Sequence, residues 1–389
     1  MFENITITKS NNYHFLLNSK IDYCSYNFSP NSFPTSFSRC FAIFGLNLIK
    51  KLSLTNGERL KLSHLIRSDL DELYYKRFAK GFDMKNDKTY LQLLTFSLSA
   101  LKVLGTLNKD SLEDHCHPML SCPITENLDK RNVGCGVPQS GNYAMFVAII
   151  LLHANKYLNL DCTNKIEEWT EYHFKHMNRF GFWGDDSSMS HLQFQNGYHQ
   201  YEIFHYLGID NPLAENAAHA VASLSDSRGR FAPYPGGGGC YDYDAISIIT
   251  SGGVTAISNH KKLLSKTFLS IIEDQNEDGG FCESKFIRPR SFNNFILAIR
   301  HAFSCKGKAR TERFRQVLTL QRPKHNRING AEHWTGGEYR RKWSESNLWD
   351  SYFRMLTIAR IELALEPENG RGWGFIDYPG IGFHRSLKA

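Results

Sequence analysis

A turn built from glycine and an aromatic residue recurs along this chain at nearly constant spacing, and a repeat of that period constrains the fold more than any other feature. It stands at Gly136 (GCGVPQSGNYAMF), Phe182 (RFGFWGDD), Phe231 (GRFAPYPGGGGCYDYD) and Phe281 (QNEDGGFCES), at intervals of 46, 49 and 50 residues. The rhythm continues less cleanly to Trp334-Thr335-Gly336-Gly337 and Gly372-Trp373-Gly374-Phe375, and a degenerate earlier copy lies at Tyr26 to Ile49.

The flanks of each turn are alike. Before it comes a polar stretch with one apolar stripe, as in Asn164 to Met177, Pro212 to Leu224 and Lys261 to Glu273. After it comes a more apolar stretch, as in Tyr143 to Leu152, Gln200 to Leu207, Asp244 to Ile257 and Phe292 to Phe303. Apolar residues at i, i+3 and i+4 in the first kind, and nearly all round in the second, predict an outer helix followed by an inner one. Thr89 to Leu104 reads as a further apolar helix ending at Gly105. Strand signals are scarce, because aromatic and β-branched residues cluster at helical rather than alternating spacing. The expected fold is all-α: one domain over 1–389, an α/α toroid of roughly six helical hairpins with its glycine and aromatic turns at the cavity mouth. Residues 1–133 form the more divergent hairpins and 134–389 carry the clear repeats.

The QNEDGGF of Gln275 to Phe281, with echoes at RFGFWG and SRGRF, resembles the glycine and aromatic repeat of the squalene-cyclase and protein-prenyltransferase superfamily. The resemblance implies inner helices around a central cavity that holds an isoprenoid chain. Class II terpenoid cyclases of that kind carry Asp-x-Asp-Asp, and Asp242-Tyr243-Asp244-Ala245 supplies the first two acids with alanine in the third place. Asp244 then stands where the proton donor would be, Asp242 beside it as its tuner, and Tyr198, Trp183 and Trp349 as an aromatic wall for cationic intermediates, with Tyr241 a further substrate-binding candidate. Prenyltransferase zinc uses the order Asp-x-Cys with a later His. Here Cys240-Tyr241-Asp242 is reversed and His301 follows. Thioester toroids carry Gly-Cys-Gly-Glu-Gln, and Gly134 to Gln139 has one residue too many.

A second class of toroid enzyme works on glycans with acid/base pairs. For it, Tyr198, His199 and Glu202 at the start of an inner helix are the candidates, with the Trp183-Gly184-Asp185-Asp186 turn nearby. Arg288 and Arg290, just past the Phe281 turn, suit a phosphate or carboxylate head group. In WSESNLWDSYFR, Asp350 and Arg354 lie four apart on a helix and can pair, a structural role for Arg354 that competes with a place in the cavity. The third reading is a noncatalytic scaffold using the ring's rim. The leading expectation is protonation-initiated cyclisation of an isoprenoid or other apolar chain, with a glycan lyase or hydrolase as the alternative.

Composition trims the remaining classes. The net charge of +7 and pI near 8.8 allow an anionic ligand, but no nucleic-acid module is present, so the partner is a small-molecule or lipid-like substrate. No motif demands a cofactor, and Mg or Zn stays open. His115-Cys116-His117 with Cys122 lacks a second ligand pair at finger spacing and reads as a solvated loop. Nine cysteines without a Cys-x-x-Cys pair read as reduced thiols. No stretch is long and apolar enough to span a membrane, and the first fifteen residues show no secretory signal, so the expected location is cytoplasmic.

Overall fold

Side-chain caps set where many of the helices begin. Thr35 and Ser38 form a reciprocal capping box, as do Thr55 with Glu58 and Ser190 with Gln193, while Asp87 and Ser291 cap through backbone N–H groups three residues on. Left-handed Gly105 and Gly208 end two helices, at φ 72° and 69°. The computed structural model describes residues 4–108, 111–287, 291–320, 327–329 and 340–384. Among these the chain is all-α apart from four short strands.

The helices are α1 (Asn4–Asn18), α2 (Ser36–Leu48), α3 (Asn56–Phe78), α4 (Lys88–Leu104), α5 (Glu113–Leu120), α6 (Ile124–Lys130), α7 (Ser140–Tyr157) and α8 (Thr163–Lys175). They continue as α9 (His191–Leu207), α10 (Ala214–Ala222), α11 (Gly239–Ser251), α12 (Gly253–Glu273), α13 (Phe292–Phe303), α14 (Gly307–Leu320) and α15 (Leu348–Leu365). The strands are β1 (Phe281–Cys282), β2 (Arg327–Asn329), β3 (Arg340–Lys342) and β4 (Ser346–Asn347). They pair antiparallel, β1 with β4 and β2 with β3.

Six helices form the inner layer. Helix α2 packs on α4, α4 on α7, α7 on α9, α9 on α11 and α11 on α15, and α15 packs back on α2, so the order closes on itself. These helices are apolar nearly all round, and most of their residues are buried. The outer helices bury fewer: α8 buries Trp169, Tyr172 and His173, and α12 buries one stripe through Leu264, Phe268 and Ile271. At the crossing of α7 and α9 the backbones touch, because a Cβ at Gly141 would run into the carbonyl of Asn196. None of the described helices is long and apolar enough to cross a membrane. All nine cysteines are free thiols.

The structure corrects three readings of the sequence. The apolar run Asp244 to Ile257 is two helices: Gly252 and Gly253, the latter at φ 87°, end α11 and send the chain outward into α12. Phe292 to Phe303 is not an inner helix. As α13 it pairs with α14 in a hairpin inserted before α15, with Phe292, Phe295, Phe303 and Phe314 exposed. The hairpin is pinned by buried Arg313, which donates to Leu224 O, Ser304 Oγ and His191 Nε2. His115 and Cys116 are buried on α5 rather than solvated, and His115 bonds Tyr90 Oη and Asp71, both at 2.8 Å. Trp334 to Gly337 lies outside the described residues.

Candidate active site at the ring mouth

Two contacts join inner helices here, one between the starts of α11 and α15 and one from the first turn of α7 to the middle of α9. Gly239 N of α11 donates to Asp350 Oδ1 of α15 at 3.2 Å, and Asn142 of α7 bonds His199 Nε2 of α9 at 2.7 Å. The four glycines, Gly236 to Gly239, thread this junction where side chains would not fit. A Cβ at Gly236 would strike the Phe286 ring, one at Gly237 the Tyr234 ring, and Gly236 and Gly238 sit at φ 60° and 71°.

Asp242 serves the frame. Its Oδ2 accepts from Arg230 Nη1 at 2.6 Å and from Arg354 Nη1, and its Oδ1 accepts from Phe231 N at 2.9 Å. Arg230 also reaches Asp274, so two acids and two arginines form a buried network. The sequence pairing of Arg354 with Asp350 is therefore replaced. Arg354 turns to Asp242 and to Gly236 O at 3.2 Å, while Asp350 is held from other directions.

Those directions define a site that the motifs do not mark. After the Phe281 turn, β1 pairs with β4 just ahead of α15, which brings Glu283 beside Asp350. Tyr234 Oη donates to Glu283 Oε1, and Arg341 stands 3.7 Å from both Glu283 and Asp350. Asp350 is sealed in, accepting from Asn347 Nδ2 at 2.6 Å and from Gly239 N. Glu283 keeps 14% of its side chain exposed, whereas that of Asp350 keeps 1%. Burial pushes the Glu283 carboxyl up to about 7, with the negative charge of Asp350 adding to it and Arg341 opposing. Half-buried Tyr234, Tyr241 and Trp343 stand around it, with Tyr234 centred 6.1 Å from Tyr241 and 6.0 Å from Trp343. Only the position of Glu283, two residues beyond the repeat's aromatic, hinted at it in the sequence.

A deeper polar group lies between α9, α11 and α15. Asp244 accepts no hydrogen bond from any described residue, and burial, then the charges of Glu202 and Asp242, hold its carboxyl well above the usual range. Burial raises Glu202 to about 7. Tyr198 and Tyr243, with rings 5.4 Å apart, leave their hydroxyls unpaired among the described residues, as are both oxygens of Glu202. Arg360 lies 5.7 Å over the Tyr243 ring. His199, next to Tyr198 in sequence, turns instead to Asn142, and burial lowers it to about 3.

The other expected residues scatter. Trp349 is half-buried, packed on Phe41 and Phe353 at 5.0 and 4.7 Å. Trp183 is core: it packs against His173 and its indole N–H donates to His173 O at 2.9 Å. Exposed Asp185 pairs with Lys308 of the inserted hairpin at 2.5 Å, which holds its carboxyl well below the usual range. Arg288 and Arg290 lie outside the described residues. Cys240, Asp242 and His301 do not converge on a metal, since Asp242 serves the arginines and His301 bonds Asp226 at 3.1 Å. The one metal-like grouping among the described residues is Asp71, Asp114 and His115, where Arg67 already pairs with Asp114 at 2.6 Å.

No family model matches the sequence, and no curated protein does. Among solved structures, the chain is similar to a glycosidase variant in complex with glucose and to a second glycosidase variant. Both are 10% identical, with TM-scores of 0.43 and 0.44, over 92% of this chain and 98% of theirs.

Proposed function

We propose that this chain cleaves glycosidic bonds at the ring mouth, with Glu283 as the proton donor. The observation that carries the reading is a partly exposed carboxyl raised to about 7 amid three half-buried aromatic rings, hydrogen-bonded by Tyr234. An acid of that pKa is half protonated near neutrality, where proton transfer to a leaving group is most effective. Glu283 gives its proton to the glycosidic oxygen as the carbon–oxygen bond breaks. Water then supplies the hydroxyl at the sugar carbon and the proton that restores Glu283. Asp350, buried and triply held, acts through its charge on Glu283 and is a positioning residue. The tyrosines and Trp343 offer faces on which sugar rings stack.

Asp244 favours a second reading, protonation of an isoprenoid alkene, because it is a buried acid whose carboxyl is held well above the usual range with no hydrogen-bond donor among the described residues. One experiment separates the two. The purified chain is incubated with neutral and acidic oligosaccharides and with prenyl diphosphates, and products are read by mass spectrometry in wild type, Glu283→Gln and Asp244→Asn. Oligosaccharide products heavier by one water, lost in Glu283→Gln and kept in Asp244→Asn, support glycan cleavage. Cyclised prenyl products that vanish in Asp244→Asn overturn it.

A further inference from the structure

A cavity of about 290 Å³ opens between the starts of α4 and α7, lined by Lys88, Arg131, Gln139, Ser140 and Tyr143. Two helix N-termini face it, since Lys88 is the first residue of α4 and Ser140 the first of α7. Helix α7 starts without a side-chain cap: Gln139 at the N-cap is left-handed, with φ 68°. The N–H groups of Gly141 and Asn142 therefore find no acceptor among the described residues. A second, independent observation points the same way. Ser140 is 4% exposed, and its Oγ has no hydrogen-bond partner among the described residues.

The charges on the wall are complementary to that end of the helix only if an anion lies between them. Lys88 is exposed and no described carboxylate pairs with it. Arg131 is fixed by Asn86, through Nε at 3.0 Å and Nη2 at 2.9 Å, and stacks 5.0 Å over Tyr143, an arrangement that uses part of its fork. Lys130 is already neutralised by Glu126 at 2.5 Å. A positive helix end, orphan N–H groups, a buried hydroxyl and two cations form the donor set that oxyanions select.

We propose that this cavity binds a compact tetrahedral oxyanion, a phosphate or sulfate group, through the first turn of α7, Ser140 Oγ, Lys88 and Arg131. The site adjoins the mouth, because Asn142 on the same turn bonds His199 and the charge of Lys88 is felt at His199. The group thus has two sources, the free ion or an ester carried by the substrate. Identifying that substrate as a phosphorylated or sulfated glycan rests on the reading of Glu283; the oxyanion site does not.

Calorimetric titration of the full chain with inorganic phosphate, and separately with sulfate, at constant ionic strength tests the site without turnover. The expected result is saturable one-to-one binding, weakened about tenfold in Lys88→Gln and in Ser140→Ala, as loss of a bond to a charged group implies. Arg131→Gln repeats the test should either variant fail to fold. No saturable binding, or binding unchanged in the folded variants, overturns the proposal. Competition by a sulfated oligosaccharide that is not cleaved would leave the oxyanion site standing and count against Glu283 as a glycan acid.

Discussion

Asp242 of α11 and Arg354 of α15 meet through one carboxylate oxygen, Oδ2, which Arg230 shares. The contact ties the last inner helix to the one before it, and all three side chains are buried. Asp242→Ala leaves two buried guanidinium groups without their anion, and breaking a pair of this kind costs about 3–5 kcal/mol. Urea denaturation should show that loss. Near wild-type stability with activity gone would instead make Asp242 part of the chemistry.

Glu283→Gln should fold and lose about 10²- to 10⁴-fold in rate, the usual share of a general acid. In wild type the donor is protonated below about 7, so activity should fall as pH rises through that value. A rate profile with no falling limb near there, or one that the variant retains, would remove Glu283 from the role.

Glu202 makes a prediction about stability. Its folded carboxyl sits at about 7, above the ordinary 4.5, so the folded protein holds that proton more tightly than the unfolded chain. The contribution is complete at acid pH, below the unfolded value, and is lost as pH rises through about 7, an effect on the order of 3 kcal/mol. Glu202→Gln keeps the shape of the protonated form and should outlast wild type above about pH 8. Parallel denaturation curves at every pH would contradict this.

At the α7 and α9 crossing, Gly141→Ala forces a Cβ onto the backbone of Asn196, and overpacking of this sort costs about 1–3 kcal/mol. Gly57→Ala is the control, because nothing lies within 4 Å of that Cβ on α3. It should be neutral or raise the melting temperature, as replacing a helical glycine gains about 0.5–1 kcal/mol. A drop of equal size in both would show that the crossing is not tightly packed.

What the sequence disclosed, and what it hid, follows from the range of the forces involved. Helix type was legible because burial repeats every 3.6 residues, and α7 is apolar on every side. Which side of the ring a helix joins is not a local property. Phe292, Phe295 and Phe303 mark a strong apolar stripe, yet it faces outward on the inserted hairpin. Arg354 has Asp350 four residues away, but the buried charge of Asp242, 112 positions distant, lies closer to its guanidinium. Glu283 owes its raised pKa to burial first and to the charge of Asp350 second, and the pairing of Phe281 with Asn347 brings the two acids together from distant parts of the chain. The sequence cast Asp244 as the acid and Asp242 as its tuner, two parts of one site. Neighbours on other helices gave one two arginines and left the other with none.

The closing contact between α15 and α2 places the Trp349 ring 5.0 Å from that of Phe41. A stack of hairpins that stayed open could form from either end and grow. Here the first inner helix waits for the last, so synthesis leaves an apolar flank of α2 without its partner until α15 has been made. Contacts of such long separation slow folding and expose sticky intermediates. A chain cut before Leu348 should therefore aggregate rather than persist as a shorter fold. A permuted chain that joins the two ends and opens elsewhere, bringing α15 and α2 much closer in sequence with α1 between them, should fold faster than the natural one.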